Sequence, residues 1–128
     1  MIKLTLGTLA VLLSVSTVAL AETKSWNITE EGTSGIKSAQ GVWAVTVEGD
    51  KISGSATMQL TNGNPLSYTI DGSVKDAVYT INLSKRTDGK NGCVWSGHTP
   101  AQDTAATHGL IGEARCDGNV KFVIRAGF

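Results

Sequence analysis

The chain is 128 residues long with 11 Lys+Arg against 11 Asp+Glu, so it holds one small domain and no net charge for a nucleic acid or an anionic membrane to read. At 17% charged and 41% apolar residues, with 15 Gly and 2 Pro, the composition is globular rather than disordered or collagen-like. Two Cys and two His leave little material for metal or nucleophile chemistry.

Residues 1–21 read as a cleaved export leader. Lys3 precedes an uncharged apolar run from Leu4 to Leu20, which closes on Ala19-Leu20-Ala21, the small-x-small pattern that a signal peptidase cuts. The run is also long enough for a membrane span of about 17–25 residues. Its Thr, Ser and Gly content and its small-residue ending favour cleavage. No Cys stands near the junction, which argues against a lipid anchor. This reading leaves residues 22–128 as one domain, monomeric, with a formal charge of minus one, in the periplasm or the extracellular medium.

Beyond the leader the hydropathy pattern has period two, and no segment carries a 3.6-residue stripe. Ile52, Gly54, Ala56, Met58 and Leu60 alternate with Ser53, Ser55, Thr57, Gln59 and Thr61. Leu66, Tyr68, Ile70, Gly72 and Val74 repeat the pattern, followed by Tyr79, Ile81 and Leu83, and finally by Val120, Phe122, Ile124 and Ala126. The alternation predicts strands near 24–29, 40–48, 51–61, 66–74, 77–86, 93–98, 108–116 and 120–126, with loops at 30–38 and 99–107. Gly49-Asp50, Asn62-Gly63, Lys75-Asp76, Asp88-Gly89 with Asn91-Gly92, and Asp117-Gly118-Asn119 fall between consecutive runs. These residue types tolerate the positive φ that tight reversals need. Consecutive strands are therefore antiparallel neighbours, and about eight of them avoid exposed edges most simply as a small up-and-down β-barrel.

Apolar-x-Gly recurs at Ile52-Ser53-Gly54, Ile70-Asp71-Gly72, Trp95-Ser96-Gly97 and Leu110-Ile111-Gly112, each time with Gly facing inward. Such glycines mark sharp coiling or the close approach of another backbone. In an exported chain Cys93 and Cys116 form a disulfide by default, closing a loop that stabilises by about 3.5 kcal/mol on the chain-entropy model. Pairing them sets Trp95 opposite Ala114 and Gly97 opposite Gly112 on one face. Trp43, Tyr68, Trp95 and Phe122 are the expected large interior residues.

Gly41-Val42-Trp43, which opens a strand, resembles the calycin superfamily of lipocalins and avidins, whose first barrel strand often begins Gly-x-Trp, and Ile52-Ser53-Gly54 resembles the next strand of such barrels. The resemblance is confined to these two strand openings and implies an up-and-down barrel. Small exported barrels of this kind include inhibitors of proteases and of lysozyme, but no full inhibitor motif is present. Ser53-Gly54 and Ser96-Gly97 are too short to carry an inhibitory loop over.

Catalytic motifs are nearly absent. Ser34-Gly35-Ile36-Lys37 reads Ser-x-x-Lys without the companion elements of penicillin-recognising enzymes. Glu30-Glu31 reads as a solvated pair. His98 and His108 bracket the 99–107 loop, with strand parity placing His98 outward and His108 inward. No catalytic residue, metal site or cofactor is expected. The leading expectation is an exported, non-enzymatic binding protein, such as a hydrolase inhibitor, that meets a protein partner through His98, Thr99, Pro100, Gln102, Asp103 and His108. The alternative is a carrier of a small apolar ligand in an interior lined by Gly54, Ala56, Gly72, Gly112 and Ala114.

Overall fold

The computed structural model describes residues 21–100 and 108–128. Residues 1–20 of the expected leader and residues 101–107 of the expected partner loop lie outside the described residues. Eight strands, β1 Glu22–Gly32, β2 Lys37–Glu48, β3 Lys51–Leu60, β4 Pro65–Lys75, β5 Val78–Ser84, β6 Cys93–His98, β7 Gly109–Cys116 and β8 Val120–Gly127, follow one another around a closed antiparallel barrel. Closure is direct, because β8 pairs with β1 from Asn27↔Gly127 to Gly32↔Phe122.

Alternation dictates which side chains fill the barrel. Trp43, Val45, Ile81, Trp95, Ala114 and Ile124 have no exposed surface, and Tyr68 and Phe122 are buried beside them. Outside, the strands carry Ser25, Ser53, Ser55, Thr57, Ser67, Thr69, Ser73 and Thr80, all exposed. A membrane-spanning barrel has the reverse arrangement, with an apolar band facing out.

The interior glycines sit where a neighbouring strand leaves no room. A Cβ at Gly112 would run into the Ser96 carbonyl oxygen, and one at Gly72 into that of Thr80. At Gly97 the obstacle is the Trp95 ring, which lies over the space that the missing side chain leaves. Trp95 packs edge-on against Trp43, with centroids 5.4 Å apart. Its indole N–H is buried with no acceptor among the described residues.

Cys93 and Cys116 are bridged, with Cα atoms 4.0 Å apart. The expected register holds, with Trp95 opposite Ala114 and Gly97 opposite Gly112. Because Cys93 opens β6 and Cys116 closes β7, the bridge pins the end of this hairpin farthest from the 99–107 loop. It therefore does not brace that loop's stem.

Two expectations need correction. Residues 30–38 are not one loop: β1 runs to Gly32 and β2 starts at Lys37, leaving a short turn in which the Gly35 N–H donates to the Gly32 carbonyl at 2.8 Å. The strand predicted over 77–86 ends at Ser84, because Lys85 adopts a left-handed φ of 57°. Strict alternation from Leu83 would have turned Lys85 inward. The kink turns Arg86 inward instead.

Candidate functional site

An up-and-down barrel has two ends, and these differ in chemistry. The first is ringed by the β1–β2, β3–β4, β5–β6 and β7–β8 turns, and a buried polar cluster seals it. The second is ringed, among the described residues, by the start of β1, the β2–β3 and β4–β5 turns, Thr99, Pro100 and His108 beside β6 and β7, and the residue after β8. This second end forms an aromatic mouth.

At the sealed end Arg86 crosses the lumen. Its Nη2 donates to Glu30 Oε1 at 2.8 Å and to Asp88 Oδ2 at 2.7 Å, its Nη1 to Glu30 Oε2 at 3.2 Å, and its Nε to Asp88 Oδ1 at 3.1 Å. The guanidinium lies over two rings, 4.5 Å from the Tyr68 centroid and 4.9 Å from that of Phe122. Tyr68 Oη donates to Glu30 Oε2 at 2.6 Å and accepts from Trp43 Nε1 at 2.9 Å. Lys90 Nζ, at the outer edge, donates to Asp88 Oδ2 at 3.1 Å.

The Arg86 side chain is fully buried and that of Glu30 is 2% exposed, so the solvated-pair reading of Glu30-Glu31 is wrong for its first member. Glu30 continues the inward series of Trp26 and Ile28 and meets a cation there. Only Glu31 reaches outward, to Arg125 Nε at 2.7 Å.

The electrostatics match the geometry. Burial works against the Asp88 charge, but hydrogen bonds and attraction from Arg86, then Lys90, outweigh it and hold the carboxyl at about 2. Burial also opposes the Arg86 charge, yet Asp88 and Glu30 hold the guanidinium above its usual range. Burial first, then the charge and hydrogen bond of Glu30, push the Tyr68 phenol well above its usual range; Trp43 and Arg86 pull only weakly the other way. The phenol therefore stays protonated, and its hydroxyl is engaged on both sides, by Glu30 and by Trp43. The cluster is a seal.

At the open end Trp26 reaches the lumen from β1 and is 4% exposed. Phe128 stacks on it, with centroids 5.1 Å apart and an interplanar angle of 28°. Tyr79 meets it edge-on at 5.8 Å, and Trp43 stacks beneath at 6.2 Å. Glu22, Lys24, Trp26, Val47, Tyr79 and Phe128 line a cavity of about 340 Å³, with Glu22 and Lys24 on its rim. Below this cavity Trp43 and Trp95, neither with exposed surface, fill the barrel. The small residues named for an interior carrier, Gly54, Ala56, Gly72, Gly112 and Ala114, accommodate backbone and tryptophan rather than a lumen.

Of the partner-loop residues, His98, Thr99 and His108 are exposed and Pro100 is partly buried, all at the open end. Gln102 and Asp103 lie outside the described residues. His98 Nδ1 lies 2.9 Å from the Thr99 carbonyl oxygen. The inward placement of His108 does not hold, because β7 starts at Gly109 and strand parity does not extend to His108. Its carbonyl accepts the Phe128 N–H at 3.0 Å. Among the described residues no group of three or more His, Cys, Asp or Glu is placed to hold a metal ion. Trp43, Tyr68, Trp95 and Phe122 all point inward, with Tyr68 and Phe122 in the seal. Sequence reasoning missed Glu30, Arg86 and Asp88 at one end and Trp26, Tyr79 and Phe128 as a group at the other. The inward parity of Trp26, Ile28 and Glu30 was the available signal for one of them.

No family model and no curated protein sequence matches the chain. Among solved structures it is similar to a redesigned β-barrel, mFAP1, bound to DFHBI, with a TM-score of 0.61 at 15% identity over 81% of this chain and 92% of that one. It is also similar to a de novo designed fluorescence-activating β-barrel, with a TM-score of 0.59 at 13% identity over 86% of this chain and 95% of that one. At these identities the likeness is one of fold, and the chain shares with both designs the form of a small β-barrel.

Proposed function

We propose that the protein is an exported, non-enzymatic binding protein that takes a small apolar or aromatic molecule at its open end. The observation that carries this reading is the asymmetry of the barrel: one end is closed by a fully engaged ionic cluster, and the other presents Trp26, Tyr79 and Phe128 around a cavity of about 340 Å³. A concave aromatic surface with a few polar groups at its rim is the usual form of a small-molecule site. The barrel solved with DFHBI supports the idea that a fold of this size can hold such a guest. Export is supported by the leader pattern and by the disulfide, which suits an oxidising compartment.

A second reading, a protein partner such as a hydrolase, is favoured by the exposure of His98, Thr99 and His108 at the same end. Native mass spectrometry of the protein purified from the exported fraction tests both. A co-purifying mass of a few hundred daltons, lost in Trp26→Ala, is the expected result. A co-purifying polypeptide that survives Trp26→Ala overturns the small-molecule reading in favour of the second.

A further inference from the structure

The proposed mouth site is filled in part by the protein's own Phe128. Building on the small-molecule reading, we infer that Phe128 is an intramolecular stand-in for the ligand: the site takes a planar aromatic ring, and Phe128 must leave for that ring to enter. Three observations carry this. First, Phe128 lies on Trp26 at 5.1 Å and 28°, the offset-stacked geometry in which a flat guest would lie on the same indole. Second, the two rings are unequally buried. Phe128 is 51% exposed while Trp26 beneath it is 4% exposed, so Phe128 shields the indole from water and gains less shelter itself. Third, Phe128 stands beyond the end of β8, tied by one backbone hydrogen bond to the His108 carbonyl at 3.0 Å. It follows Gly127, where an added Cβ would meet nothing. Because Phe128 lies outside the ladder, its ring can turn off the indole about its own side-chain torsions without disturbing the sheet.

A plug and a wall have opposite signatures. When a site is closed most of the time, its apparent affinity falls by the fraction that is open, so removing the plug tightens binding. A wall contributes contacts, so removing it weakens binding. The chain, wild type and with Phe128→Ala or Phe128→Leu, is titrated with 1-anilinonaphthalene-8-sulfonate, a planar aromatic dye, and fluorescence is read. Phe128→Leu keeps apolar bulk but cannot stack, which guards against a loss of folding in the alanine variant. The expected result is a dissociation constant about tenfold lower in both variants, for a plug closed about nine times in ten, with the gain abolished when Trp26→Ala is added. If the wild type binds and both variants bind equally or more weakly, Phe128 is a wall; the plug is overturned and the mouth reading stands. A gain that survives Trp26→Ala places the dye elsewhere and overturns the plug. If no form binds the dye, the plug and the planar aromatic class are both overturned, and the native mass measurement alone decides the mouth reading.

Discussion

Arg86→Met keeps most of the apolar stem of residue 86 but removes the guanidinium from the sealed end. Glu30, 2% exposed, then loses both of its Arg86 contacts and keeps only the Tyr68 hydroxyl, Asp88 loses its two Arg86 bonds and keeps Lys90, and Tyr68 and Phe122 lose the cation over their rings. Stranding a buried carboxylate in this way costs about 3–5 kcal/mol. That loss is a large share of the 5–15 kcal/mol typical of a domain this size. Urea denaturation is the assay. The double variant Glu30→Met with Arg86→Met removes both charges, leaves Asp88 with Lys90 as its remaining cation, and should recover part of the loss. A single-variant cost below about 1 kcal/mol, or a double variant less stable than the single, refutes the account of a desolvated, mutually dependent pair.

Tyr68→Phe removes the hydroxyl that links Trp43 Nε1 to Glu30 and should cost about 1–3 kcal/mol, read as a lower denaturation midpoint with unchanged β-sheet circular dichroism. Gly112→Ala forces a Cβ into the Ser96 carbonyl oxygen and should cost about 1–3 kcal/mol or more, whereas Gly63→Ala has free space and bears only the strain of its φ of 91°. Reducing Cys93–Cys116 should lower stability by about 3.5 kcal/mol and leave the sheet signal in place, since the eight strand pairings do not depend on the bridge. Asp88 sits at about 2 against an ordinary 3.8, a depressed value, so its contribution is intact above pH 3.8 and is lost as pH falls toward 2; Asp88→Asn should flatten the wild-type stability profile across that window.

Period-two alternation and Gly/Asn/Asp turns are local signals, which is why the eight strands, their antiparallel order and the Cys93–Cys116 register can be read from residues alone. The seal is not local. Arg86 reaches the lumen only because Lys85 takes a left-handed φ, and its partner Glu30 stands on the strand that closes the barrel against β8. Parity along β1 marks Glu30 as inward, but a carboxylate at an inward position makes sense only once a cation from another strand is known to meet it. The mouth is hidden for a similar reason. Trp26, Tyr79 and Phe128 belong to β1, to β5 and to the residue after β8, and only closure of the ring brings them within stacking distance.

Closure by β1 against β8 also sets the order in which this chain can assemble. Every other pairing joins strands adjacent in sequence and can form as an independent hairpin, but Asn27↔Gly127 and its neighbours join opposite ends of the described chain. That contact bears the largest loop-closure entropy of the fold and forms only after the other seven have brought the strands into line. Folding is therefore expected on the slow, millisecond-to-second side of small domains. Until the final seam zips, the chain is an open curved sheet with two unpaired edges, and it is in that interval, not in the finished barrel, that it is exposed to edge-to-edge aggregation.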